Sequence, residues 1–182
     1  MYALVLSGLA MQMTGNSRPA SGAEHHLVHL WDMEVVNGHL DALHGEKVSA
    51  GTMLVLLEYK KIADAIRKGN CKVHTCTEED RELLQSTFGK KGILGAIEKE
   101  NTPELLDDVS TKELSDTLPG ILKIIDALPA VTDMQEMMNT AGCVSRVRDI
   151  GLPGEVIEES LRLAPYTRRR LSLLRLRKML TY

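Results

Sequence analysis

The stretch EKVSAGTMLVLLEYKKIADAIRK, from Glu46 to Lys68, decides the fold class. Val55, Tyr59, Ile62 and Ile66 step by four, three and four residues, which stacks them on one face of a helix. The first half of the stretch, Met53 to Leu57, is apolar on more than one face. A helix without a polar side there is expected at the centre of the protein.

The flanking sequence carries the same helical grammar. Ser21-Gly-Ala-Glu24, Ser110-Thr-Lys-Glu113 and Thr132-Asp-Met-Gln135 have the spacing of capping boxes, and Thr77-Glu-Glu-Asp80 is a weaker version. Thr102-Pro103 puts a hydroxyl before a proline suited to a first helical position. Gly69, Gly89 and Gly142 stand where helices can stop. Ile157, Leu161 and Ala164 form one helical stripe, and Leu173, Leu176 and Leu180 another. Only Cys71–Cys76 offers a short strand candidate. The expectation is an all-α helical bundle of about seven or eight helices, with residues 1–182 forming a single domain.

Composition agrees. Six aromatic residues in 182 (one Trp, one Phe, four Tyr) are poor material for a sheet, since strands favour aromatic and β-branched side chains. A formal net charge of −3 argues against a dedicated nucleic-acid binder. No apolar run approaches the roughly 18 residues of a transmembrane helix. Three cysteines cannot all pair within one chain, which points to a reducing, cytoplasmic setting. The apolar start MYALVLSGLAMQM lacks a basic leader and reads as a helix begun in mid-course.

Five of the six histidines fall between residues 25 and 44: His25, His26, His29, His39 and His44. His25 and His29 share a helix face, and His44 follows the Asn37-Gly38 turn. Two such imidazoles can hold a divalent metal if an oxygen ligand joins them. On spacing alone the plainer alternative is a set of solvated or satisfied histidines, because no third ligand is evident.

The residues around the cluster carry a resemblance. Ser17-Arg-Pro-Ala-Ser-Gly-Ala-Glu-His-His-Leu-Val-His-Leu-Trp-Asp-Met33, with Ser7-Gly-Leu-Ala-Met11 before it and Leu43-His-Gly-Glu-Lys-Val48 after it, resembles the glycerol-1-phosphate dehydrogenase family. That family sits among the iron-type alcohol dehydrogenases, glycerol dehydrogenases and dehydroquinate synthases. The resemblance is specific over residues 3–52 and looser through Gly151-Leu-Pro and the arginine run from Arg168. It implies the C-terminal half of an oxidoreductase whose N-terminal, Rossmann-like half binds NAD(P). Substrate would sit between the halves, a polyol phosphate of the kind that feeds phospholipid precursor metabolism.

By that resemblance His25 and His44 match metal ligands for Zn, Fe or Ni. His29 matches a catalytic position that touches substrate near the metal, where it would hydrogen-bond the reacting hydroxyl or relay its proton. His26, about 100° round the helix, would be a supporting or structural residue, and His39 a solvent-exposed one. Arg18, just before a helix N-terminus, could bind a substrate phosphate together with free backbone N–H groups, or simply tie down the loop. The family's third metal ligand, an aspartate, and its glycine-rich cofactor turn lie upstream of the Ser17 motif, and only 16 residues precede Ser17 here. No cofactor-binding residue is therefore expected, and the chain alone should have little or no dehydrogenase activity. It would work with a missing N-terminal cofactor domain or as a homo-oligomer.

Other features have plain readings. Cys71-Lys-Val-His-Thr-Cys76 matches no strong zinc pattern. The run Arg168–Arg170 with Arg175, Arg177 and Lys178 reads as a solvated helix face, or as a contact for acidic lipid or a partner. Met134, Met137 and Met138 are core fillers or an exposed patch. Two functions stay open: the metal-binding domain of such an oxidoreductase, or a non-enzymatic helical interaction module derived from it.

Overall fold

A computed structural model describes residues 2–76 and 80–182. Eight helices of seven residues or more occur among them: α1 (Tyr2–Thr14), α2 (Ala23–Asp32), α3 (His44–Arg67), α4 (Arg81–Phe88), α5 (Leu94–Glu100), α6 (Thr111–Asp126), α7 (Val131–Thr140) and α8 (Ile157–Leu163). A four-residue turn, α9 (Leu173–Leu176), follows. Two short strands, β1 (Lys72–Val73) and β2 (Leu180–Thr181), pair antiparallel. The all-α expectation holds, and the Cys71–Cys76 candidate supplies one edge of this small ribbon.

α3 is the axis of the fold. It buries Ala50, Gly51, Met53 to Leu56, Ile62 and Ala63. Each large apolar side chain fully removed from water contributes about 1.5–3 kcal/mol. The upper part of α3 joins Leu27, Val28, Leu30 and Trp31 of α2, with Leu161 and Leu163 of α8, in one apolar cluster. Ile62, lower on α3, packs with Leu106, Leu114, Leu118, Met179 and Leu180 in a second cluster. The indole N–H of Trp31 donates to Ser160 Oγ at 3.0 Å, so the buried ring brings its polar atom a partner.

Several boundary signals act differently from their sequence reading. Ser110 caps α6 as expected, its Oγ accepting from the Glu113 amide. α2 is instead capped at Gly22, and Glu24 reaches back to the Gly22 amide rather than to Ser21. α7 begins at Val131, one residue before the expected Thr132 cap. Thr102-Pro103 starts no helix, because Asn101 ends α5 there and spends its amide on the Ile97 and Tyr166 carbonyls. The Thr77-Glu-Glu-Asp80 pattern falls largely on residues 77–79, outside the described residues. Leu180 leaves the stripe begun by Leu173 and Leu176, since pairing with Val73 draws it into β2.

Of the arginine run, Arg168–Arg170 lie outside any helix, whereas Arg175 lies in α9 but is buried, 1% exposed, rather than solvated. Arg168 has extended backbone, and the run links the 3-10 turn Ala164–Thr167 to α9. α7 buries no residue completely, and Met137 is exposed. α1 stands apart: Tyr2 is 79% exposed, Leu4 72% and Met13 87%, and the helix carries no charge. No helix among the described residues is long and apolar enough to cross a membrane.

A buried ionic network closes the C-terminus onto α3. Arg177 Nε lies 2.6 Å from Glu58 Oε1, and the Tyr182 hydroxyl donates to the same carboxylate. Lys61 reaches the other oxygen at 3.1 Å. Burial pushes the Glu58 carboxyl up, but the Tyr182 hydrogen bond and the Arg177 charge outweigh it and leave the group below its usual value.

Candidate metal and substrate site

The candidate site is built where α2 crosses α3. Their contact is close because Gly51 has no side chain: a Cβ there would stand 3.2 Å from the Glu24 carbonyl oxygen. Local geometry places His25 and His29 one turn apart on α2. Packing then brings His44, the first residue of α3, to His25, with ring centroids 5.6 Å apart and planes tilted by 54°.

His25 is fixed from behind. Its Nδ1 lies 2.8 Å from Glu24 Oε1, and that oxygen also accepts the Gly22 amide at 2.7 Å. Burial pushes the Glu24 carboxyl up, but hydrogen bonds from His25 and from the backbone more than offset that, leaving it below the usual value. A carboxylate holding Nδ1–H leaves Nε2 as the free lone pair, the arrangement that orients metal-binding histidines. His44 is solvent-exposed.

His29 is half-buried. Burial, then the charge of Arg168 and of His25, lowers its pKa and favours the neutral ring. Among the described residues no group of three or more His, Cys, Asp or Glu side chains is arranged to hold a metal ion. His25 and His44 bring two imidazoles together and Glu24 a carboxylate behind one of them, short of a complete ligand set. Among the described residues Cys71, Cys76 and Cys143 form no disulfide.

The other predicted residues divide. His39 is exposed and pairs with Glu34 at 2.9 Å. His26 is 1% exposed, and neither ring nitrogen has a hydrogen-bond partner among the described residues. Burial, then the charges of Arg170 and Arg175, lowers its pKa to about 4. Arg18 sits in a 3-10 turn and borders a cavity of about 470 Å³ with His26, Arg169 and Arg170. His25, His29 and His44 do not line that cavity. Sequence reasoning missed Arg169 and Arg170 as lining residues. The triple arginine is the available signal, but the helix expected there begins only at Leu173, after it.

Comparison with known proteins finds glycerol-1-phosphate dehydrogenases among the relatives of this chain. The chain is 34% identical over 173 residues to a glycerol-1-phosphate dehydrogenase [NAD(P)+] of Halalkalibacterium halodurans, covering 94% of this chain and 35% of that protein. It is 27% identical over 165 residues to the protein of that name from Geobacillus stearothermophilus, covering 90% of this chain and 34% of the relative. A shorter match, 45% over 69 residues, links it to the Methanococcoides burtonii protein of the same name, covering 36% of this chain and 18% of that one. The chain therefore spans about a third of the length of the curated relatives it matches along most of its own length, in their C-terminal part. No family model and no solved structure matches it.

Proposed function

From its homology to the glycerol-1-phosphate dehydrogenases, we propose that this chain is the helical, metal-binding part of an NAD(P)-dependent oxidoreductase acting on a polyol phosphate. The observation that carries the reading is the 5.6 Å approach of the His25 and His44 rings, with Glu24 holding His25 Nδ1. Residues 1–182 act in this reading as one helical unit.

His25 Nε2 and His44 would hold the divalent ion. A bound ion of this kind polarises an alcohol oxygen and eases loss of its proton. Glu24 keeps His25 in the tautomer that can ligate. His29, one turn along the same face, hydrogen-bonds the reacting hydroxyl and can take up its proton. Two imidazoles make a weak site, so a further oxygen ligand and the nicotinamide pocket come from elsewhere in a longer protein or from a partner chain. The exposed, uncharged α1 is a suitable surface for that contact, because apolar helices left in water tend to be covered. The chain alone is accordingly inactive as a dehydrogenase, and its setting is cytoplasmic.

Metal analysis of the purified chain against a His25→Ala/His44→Ala pair tests the reading. Divalent metal should be bound by the parent and lost from the pair. Equal metal content in the two proteins would overturn it.

A further inference from the structure

The segment Arg177–Tyr182 runs from a 3-10 turn, Arg177–Met179, into β2, and lies against α3 as a strap. Its Met179, 1% exposed, and Leu180, 7% exposed, complete the lower apolar cluster with Ile62, Leu106, Leu114 and Leu118. No strap residue belongs to the upper cluster, in which α2 is buried. β2 pairs with β1 over two residues, Lys72 with Thr181 and Val73 with Leu180, and the Met179 carbonyl accepts the His74 amide at 2.9 Å. A two-stranded ribbon this short is marginal by itself, so the strap depends on its side chains.

Those side chains are held by carboxylates of the body. The strap carries Arg177 and Lys178 and no Asp or Glu. Arg177 Nε–H donates to Glu58 Oε1 at 2.6 Å, and the Tyr182 hydroxyl donates to the same oxygen. Lys178 meets Asp80 at 3.5 Å and the Tyr166 hydroxyl. Glu58 is 2% exposed, and a charge so deeply placed is tolerated only with its partners present. The charged and titratable groups around it are Lys61, Asp64 and Lys68 along α3, Glu158 of α8, and Arg177 and Tyr182 of the strap. Glu158 also meets Arg177, at 2.5 Å, but is 63% exposed, so water screens that pair.

We propose that Arg177–Tyr182 is an acid-released strap: protonation of Glu58 frees it from α3 and uncovers the apolar face of Ile62, Leu106, Leu114 and Leu118, while α2 and the upper half of α3 stay folded. A neutral carboxyl loses the attraction of Arg177 and Lys61 and the charge-assisted bond from Tyr182. Because those partners hold the Glu58 carboxyl below its usual value, the hold is complete above about pH 4.5 and is lost as pH falls below that. What then remains is two apolar side chains against the conformational entropy of a short segment. Opening of this size leaves the cluster around Trp31 untouched. The device does not depend on the proposed metal.

Amide hydrogen exchange of the intact chain from pH 7 to pH 3, with each rate divided by the unstructured rate at that pH, tests this. Strap and β1 amides should lose their protection in acid while α2 amides stay at least about a hundredfold more protected. Trp31, the one tryptophan and 1% exposed, should keep its buried emission, and a hydrophobic dye should bind as the strap leaves. Glu58→Gln should expose the strap already at pH 7 and respond less to acid. Glu158→Gln should release it at the parental pH. If Glu58→Gln does not fold, Tyr182→Phe takes its place: it removes one bond to the same carboxylate and should release the strap at a higher pH than the parent. Loss of strap and α2 protection together, in step with Trp31 emission, would make the strap part of one cooperative unit and overturn the proposal. So would acid release that is unchanged in Glu58→Gln and Tyr182→Phe, or that Glu158→Gln shifts as far as Glu58→Gln does.

Discussion

Glu24 Oε1 stands 2.8 Å from His25 Nδ1 and 2.7 Å from the Gly22 amide nitrogen, so one carboxylate oxygen both starts α2 and orients its first imidazole. Removing that charge while keeping the shape isolates the second role. Glu24→Gln should leave the helix content unchanged and weaken Zn²⁺ binding by about 10–100-fold, measured by competition with a chromophoric chelator. Unchanged affinity would separate Glu24 from the metal.

The Glu58 carboxyl is held below its usual value, so the sign of its contribution to stability is set. The unfolded chain takes up the proton more readily than the folded one. Its contribution is therefore fully present above the unfolded value of about 4.5 and is lost as pH falls below that. Urea unfolding from pH 7 to pH 3 should show this loss in the parent. Glu58→Gln should be less stable at pH 7, because Arg177 loses the negative charge 2.6 Å away, and should show a flatter acid limb. An acid limb of unchanged slope would assign the loss to other groups.

Trp31→Phe keeps the ring in the core but leaves Ser160 Oγ buried without the indole donor at 3.0 Å. The expected loss is about 1–3 kcal/mol in chemical unfolding. Adding Ser160→Ala to Trp31→Phe should recover part of that loss, because the orphaned hydroxyl is then gone. No recovery would mean that the ring's packing, not its hydrogen bond, sets the cost.

Gly51 sits where α3 meets the backbone of α2, 3.2 Å from the Glu24 carbonyl once a Cβ is placed. Backbone cannot turn aside as a side chain can. Gly51→Val should cost about 1–3 kcal/mol through overpacking, and should also weaken metal binding by shifting His25 relative to His44. Metal binding at parental strength in a destabilised Gly51→Val protein would uncouple the helix crossing from the site.

Leu4 and Leu9 are exposed on α1, so replacing them removes little packing. Leu4→Lys/Leu9→Lys should change stability by no more than about 0.5 kcal/mol. Light scattering at high concentration should show less self-association than in the parent. A large loss of stability would mean that α1 is packed against the body of the protein.

The helical class and the central place of α3 were legible because both rest on local periodicity. So was the sharing of one face by His25 and His29, which needs only 3.6 residues per turn. The boundary errors have a common cause. Ser21 and Thr132 have the right side chains for caps, but the helices begin where packing lets the chain turn, at Gly22 and Ala130. The C-terminal helix expected from Leu173, Leu176 and Leu180 stops short for the same reason. Its leucine spacing allowed a helix through Leu180, and pairing of Leu180 with Val73 ended it.

The amino-acid sequence alone thus determined an all-helical chain with an imidazole-bearing helix after the Ser17 motif, since hydrophobic period and capping chemistry act over a few residues. Tertiary structure alone decided which groups meet. The approach of His44 to His25 depends on two helices crossing at a glycine. Arg169 and Arg170 reach the same cavity as His26 because the chain turns extended at Arg168, after the 3-10 turn Ala164–Thr167. Charges and rings distant in sequence are brought together only by the packing of the core, and no local pattern records that.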